Sequence, residues 1–282
     1  MLPVEAVLLG LAAMAAGAIN AIAGGGTLLT FPMLIAVGVP SVVANATNTV
    51  ALFVGTAGSI FSLRRHLAPV KVWLWRFIPV SIAGGWLGGV LLTRTDERLF
   101  DALVPFLLLF ATLIFLAQGL LRRFAGFPEH APVHPHRRVL WLAMLVQFGV
   151  AVYGGYFGAG IGILMLASLG LLGLSQLHQV NALKNVLAGL INATAALWFI
   201  ISGLIDWPRA AVMTVGAVIG YFLGAHYSQR VSPRVVRGVV VAIGLSAAFA
   251  VALAWATLHN PATLVLGTAP GGIAEQGERV RL

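Results

Sequence analysis

The 282-residue chain has no cysteine, which excludes disulfides, thiolate nucleophiles and cysteine-ligated metals. Charge is nearly as scarce. Only 9% of residues are Asp, Glu, Lys or Arg, and eight of them are acidic. A soluble domain carries close to three times that share on its surface. The acidic residues Glu5, Asp96, Glu97, Asp101 and Asp206 stand at or near the ends of apolar stretches, so a buried carboxylate proton relay has no residues to run on. Neither a buried His/Asp/Glu metal set nor an activated nucleophile is apparent, so the chain does not read as an enzyme and no cofactor is implied.

Hydrophobic residues make up 60% of the chain and mean hydropathy is +0.97. Apolar runs of about twenty residues recur from end to end, each long enough to cross a hydrocarbon core of about 30 Å as a helix. The expected class is an all-α polytopic membrane protein with the lipid bilayer as its solvent. The formal charge of +9 does not point to nucleic acid, because the arginines sit in short loops between apolar segments, as the positive-inside rule predicts. MLPVEAVLLG at the start lacks a basic region before its apolar run, so no cleaved signal peptide is expected.

Sliding the chain by 136 positions superposes its sparse polar and glycine residues. Gly24 and Gly26 meet Gly160 and Gly162, Asn45 meets Asn181, Gly84 and Gly88 meet Gly220 and Gly224, and Arg94 and Arg98 meet Arg230 and Arg234. The first half reads as five segments at 4–22, 24–37, 42–62, 72–92 and 99–121. The second repeats them at 139–157, 159–173, 178–202, 208–227 and 233–256. An odd number per half makes the second copy inverted in the membrane. Loop charges agree: Arg64, Arg65 and Lys71 have only Asp206 and Arg209 as counterparts, whereas Arg94, Asp96, Glu97 and Arg98 cancel and Arg230, Arg234 and Arg237 do not. The organisation expected is a first repeat at 1–121, a cytoplasmic linker at 122–138, a second repeat at 139–257 and a flexible tail at 258–282. The inner membrane would hold about eight full spans plus re-entrant or half helices, with both termini outside. His130, His134 and His136 fall in the proline-rich linker and read as a solvated loop.

The second segments are too short to span and follow glycine clusters, so each first pair reads as a re-entrant or broken hairpin. Irregular backbone at membrane depth is tolerated where it lines a cavity or is buried in protein. If Gly24, Gly25, Gly26 and Thr27, and in the second half Gly158, Gly160 and Gly162, open short helices, their N–H groups and positive dipole ends favour an anion. Close packing through small residues is the competing reading. In the third segments Asn45, Thr49 and Thr56 share a stripe with Asn48 beside it, and Asn181, Lys184, Asn185 and Asn192 occupy the same four positions. Lys184 lies well inside its segment, where a lysine costs about 2.5–3.5 kcal/mol to insert. It is expected to supply charge while the amides and hydroxyls bind oxyanion oxygens; the alternative is snorkelling from the near end of its helix. Tyr153 and Tyr156 are candidate cavity walls, with Asn20 at the position equivalent to Tyr156.

N-A-I-A-G-G-G-T-L-L-T-F-P (20–32), A-N-A-T-N (44–48), G-Y-F-G-A-G-I-G (155–162), N-A-L-K-N (181–185) and G-L-I-D-W (203–207) together resemble the sulfite exporter TauE/SafE family over residues 5–256. The family's glycine motif maps onto Gly24, Gly25, Gly26 and Pro32, and onto Gly158, Gly160 and Gly162. Ser168 stands where the second half would repeat Pro32. The resemblance implies a carrier of sulfite, sulfonates or related sulfur-containing anions across a bacterial-type inner membrane. Alternating access is the expected mechanism. An anion channel, an importer of a sulfur oxyanion and a non-transporting assembly protein share the same composition.

Overall fold

In a computed structural model the described residues are 1–22, 25–63, 68–124, 137–170, 177–227 and 233–259. They form helices and no strands. The helices are α1 (Pro3–Ile22), α2 (Thr27–Ala36), α3 (Ser41–Leu63), α4 (Lys71–Arg94), α5 (Glu97–Phe124), α6 (Arg137–Tyr156), α7 (Ile161–Gly170), α8 (Leu177–Ile201), α9 (Trp207–Tyr227) and α10 (Pro233–His259). Each of the ten expected segments therefore has its helix. The described ends of α5 and α6 reach into the expected linker, whose residues 125–136 lie outside the described residues, as do 260–282 of the tail.

Local chemistry sets the helix ends. Pro3 opens α1, where its missing N–H is no loss. At the end of α2, Gly38 (φ +80°) donates to the Ile35 carbonyl at 2.9 Å while Val39 donates to Leu34 at 3.1 Å, the paired bonds of a glycine-terminated helix. Gly203 ends α8 in the same way, with Leu204 reaching the Phe199 carbonyl at 3.1 Å. The N-terminus of α3 is capped from another helix. Glu97 of α5 accepts hydrogen bonds from the Ser41 hydroxyl (2.9 Å) and the Val42 N–H (3.1 Å). Asp206 caps α9 through the Arg209 N–H at 3.2 Å and pairs with the Arg209 guanidinium, which also reaches Glu5 of α1 at 3.3 Å.

Two helix pairs pack with backbones almost touching. A methyl group on Gly220 of α9 would lie 1.9 Å from the Met14 carbonyl of α1, and one on Gly224 would lie 2.6 Å from Ala18 Cα. In the other pair a methyl on Gly84 of α4 would lie 2.5 Å from Ala151 Cβ of α6, and one on Gly88 would lie 2.2 Å from the Val152 carbonyl. The glycines matched by sequence thus do the same job in α4 and α9, letting dispersion act between backbones where lipid supplies no hydrophobic drive. Exchanging α1–α5 with α6–α10 turns the α1/α9 contact into the α4/α6 contact and α3/α9 into α4/α8, while α3/α8 and α5/α10 map onto themselves.

Outward side chains such as Leu11, Phe106, Leu113, Leu145, Phe222 and Phe249 are exposed and apolar, a surface suited to acyl chains rather than water. Five described stretches are long and apolar enough to cross a membrane: Pro3–Ala21, Lys71–Arg94, Glu97–Ala117, Arg137–Tyr156 and Ala182–Ile201. The chain is a multi-pass membrane protein. By contrast α2 and α7 have 10 residues each, which at 1.5 Å per residue is about 15 Å, half of a hydrocarbon core.

Candidate functional site: two glycine breaks around Phe115

The α1–α2 break is held by a side chain from its own hairpin. Asn20 Oδ1 accepts the Gly26 N–H at 2.7 Å, so one of the donors that a helix start leaves unpaired is already taken. Gly25 adopts φ +94°, a conformation open to glycine because it has no Cβ. Gly26 is buried, and Gly25 and Thr27 are half-buried. Gly24 lies outside the described residues.

The α6–α7 break is tied differently. Gly158 and Gly160 both have positive φ (+80° and +78°). Tyr153 donates its hydroxyl to the Ala159 carbonyl at 2.8 Å, and its own carbonyl accepts from Phe157 (2.9 Å) and Gly158 (3.2 Å). The first turn of α7 then begins beside a cation: a methyl on Gly162 would lie 3.9 Å from Lys184 Nζ.

One residue of α5 lies against both breaks. Phe115 is fully buried. A methyl on Gly25 would lie 2.2 Å from its Cζ, and one on Gly160 would lie 3.9 Å from its Cε2. The start of α2 and the start of α7 therefore converge on the same aromatic ring, with Ile114 and Ala111 beside it.

The α3 stripe is largely engaged in holding this arrangement. Asn45, 1% exposed, donates from Nδ2 to the Tyr156 carbonyl at 2.8 Å, while its Oδ1 has no hydrogen-bond partner among the described residues. Asn48, also buried, receives the Thr30 hydroxyl of α2. Thr49 bonds back to the Asn45 carbonyl at 2.9 Å. On α8, Lys184 and Asn185 are half-buried and Asn192 Oδ1 would lie 4.0 Å from a methyl on Gly158. The backbone of Asn181 is helical, and its side chain lies outside what is described, as does that of Thr56.

Towards the Glu97 end of α5, aromatic rings of α2, α5 and the α6–α7 turn pack against one another. Phe31 packs edge-on against Phe157 (5.3 Å) and Phe100 (6.5 Å), and Phe100 against Tyr156 (5.7 Å). The Tyr156 hydroxyl sits 3.4 Å from Thr95 Oγ1, which makes Tyr156 part of that layer.

Five participants, Thr30, Phe115, Ser81, Gln147 and Ser168, were given no role by the sequence reading. Thr30 and Phe115 sit in helix interiors without any local signal. Gln147 and Ser168 form a buried chain with Ser81: Gln147 donates to Ser81 at 3.2 Å and Ser168 to Gln147 at 2.9 Å, tying α7 to α4 and α6. A lone glutamine in an apolar helix was the available signal.

Chemically, the arrangement offers a lysine ammonium beside the positive end of α7. An ammonium group and the positive end of a helix both attract an anion placed near them.

Comparison with known proteins places the chain among membrane transporters. The profile of the family described as Sulfite exporter TauE/SafE matches residues 9–272. A probable membrane transporter protein of Haemophilus influenzae is 31% identical over 231 residues, covering 79% of this chain and 85% of its own. A probable membrane transporter protein of a Sinorhizobium species is 29% identical, with 84% and 88% covered. The probable membrane transporter protein YfcA of Escherichia coli is 28% identical, with 82% and 83% covered. No solved structure matches.

Proposed function

The chain belongs to the sulfite exporter TauE/SafE family, and on that premise we propose that it exports a small sulfur-containing anion, sulfite or an organosulfonate, across the bacterial inner membrane. The observation that carries the proposal is the approach of Lys184 to Gly162 in the first turn of α7. A tetrahedral or pyramidal oxyanion there meets a charge, main-chain N–H groups and the amides of Asn185 and the neighbouring stripe.

The mechanism proposed is alternating access between two inverted repeats of five segments, at 1–121 and 139–257, giving about eight spans with α2 and α7 as half helices. The interchange of helix partners between the two sets of five supports this. Two tightly packed units fit the moving parts: α1 with α9, and α4 with α6. Each combines a helix from either half, so both repeats contribute to each unit, and a shift of one unit against the other would expose the surroundings of Phe115 to alternate sides in turn. Positive-inside charge puts 122–138 in the cytoplasm and both termini outside. The Phe31, Phe100, Tyr156 and Phe157 layer then closes the outer side.

Uncoupled export needs no acidic residue. A negative interior drives an anion outward by about 2.3 kcal/mol per charge per 100 mV.

Reconstituted liposomes loaded with sulfite test the reading. Saturable, potential-driven sulfite efflux supports a carrier. Unitary currents make the protein a channel, and the absence of any flux of sulfite, sulfoacetate or taurine leaves an assembly role.

A further inference from the structure

We infer that the α6–α7 turn holds a small monovalent cation, sodium in the first instance, next to the transported anion. This deepens the transport reading and rests on it.

Gly158 leaves a small space where a side chain would stand. Apart from the residues adjoining it in the chain, two described atoms come within 4 Å of the missing Cβ: the Gly154 carbonyl oxygen at 3.1 Å and Asn192 Oδ1 at 4.0 Å. Both are oxygens. The Gly158 N–H, which regular helix geometry would aim at Gly154, goes to the Tyr153 carbonyl at 3.2 Å, and the Gly154 oxygen is turned towards the gap.

A third oxygen belongs to the same helix end. Asn45 is 1% exposed and Oδ1 has no hydrogen-bond partner among the described residues. Its amide is anchored through Nδ2 to the carbonyl of Tyr156, the last residue of α6. A buried acceptor without a donor is costly, about 1–3 kcal/mol, and a bound cation removes that cost.

The chemistry selects the ligand. Two neutral oxygens face the gap and a third, Asn45 Oδ1, belongs to the same end of the 20-residue helix α6; the negative end of a helix repels an anion and attracts a cation. No carboxylate is among them, so the site lacks the charge that calcium and magnesium sites use to offset dehydration. Amide and carbonyl oxygens do not titrate near neutral pH, so the ligand is not a proton. The anion lies on the other side of the same turn, by Gly162 and Lys184, and opposite charges that close reinforce each other's binding in equal measure.

The test uses the whole chain in detergent, at one ionic strength, in sodium chloride or choline chloride, with sulfite added as its choline salt. Sodium is expected to raise the unfolding temperature above its value in choline without any sulfite. It should also lower the half-saturating sulfite concentration about fivefold or more. Asn192→Ala should remove the sodium effects: its unfolding temperature without sulfite should be the same in sodium as in choline. Asn192→Asp adds a charge beside the gap at Gly158 and should lower the sodium concentration required. Identical behaviour in sodium and choline, the result if water alone satisfies these oxygens, overturns the inference, as does an undiminished sodium effect in Asn192→Ala. Sulfite binding in choline without a sodium effect refutes the cation site and leaves the transport reading standing. Failure to bind sulfite in either salt refutes the transport reading, and with it the coupling.

Discussion

Asn45 of α3 donates its side-chain amide to the carbonyl of Tyr156 at 2.8 Å, joining the central helix of the first half to the end of a helix in the second. That carbonyl is one of the four that every helix end leaves without an intrahelical donor. The bond therefore serves two purposes, closing the end of α6 and fixing the α6–α7 break against α3.

Replacing Asn45 with Ala removes the donor and leaves the half-buried Tyr156 carbonyl without that partner. The variant should lose about 1–3 kcal/mol of stability, read as a lower unfolding midpoint in detergent. Asn45→Asp keeps the shape but supplies no N–H, and should not restore the loss.

Gly25 and Phe115 should behave as a coupled pair. Gly25→Ala forces an L side chain to φ +94°, about 1–2 kcal/mol of strain, and drives a methyl to 2.2 Å from the Phe115 ring. Shortening the ring in Gly25→Ala/Phe115→Leu relieves the overlap but not the strain. The double variant should therefore be more stable than the two single losses added together, by roughly 0.5–3 kcal/mol. Unfolding midpoints of the four proteins measure this.

Asn20 separates folding from ligand binding. Asn20→Ala deprives the Gly26 N–H of its acceptor and should destabilise by about 0.5–2 kcal/mol, as the loss of a helix cap does. Asn20→Asp keeps the acceptor and stability, but sets a negative charge at the start of α2, which meets the start of α7 at Phe115. Its sulfite affinity, by calorimetry, should fall while its unfolding midpoint holds.

Helix positions and the shortness of α2 and α7 were legible because they follow from coarse physics: apolar length against membrane thickness, and glycine clusters that a helix does not carry through. The polar stripe on α3 was legible from its spacing of four. What each stripe residue does was not. Asn48 and Thr30 meet across 18 positions, and nothing local distinguishes an amide that binds another helix from one that binds a ligand. Asn20 shows a further reason. The motif match at 136 positions makes it equivalent to Tyr156, yet Ile161 follows Thr27 by 134 positions whereas Leu177 follows Ser41 by 136. By helix position Gly26 corresponds to Gly160 rather than Gly162, and Asn20 lies a half-turn earlier than the motif match places it. Phe115 carried no signal at all, since a phenylalanine among leucines reads as lipid-facing until the packing of α5 is known.

Lys184 carries the central claim, that an anion is bound where α7 begins. Calorimetric titration of sulfite into the wild-type chain and Lys184→Met, with unfolding midpoints recorded alongside, tests it most directly. The account predicts saturable binding by the wild type and binding weaker by about tenfold or more in the variant, a difference of at least about 1.4 kcal/mol, in a protein that remains folded. A folded Lys184→Met protein that binds sulfite as tightly as the wild type would contradict it.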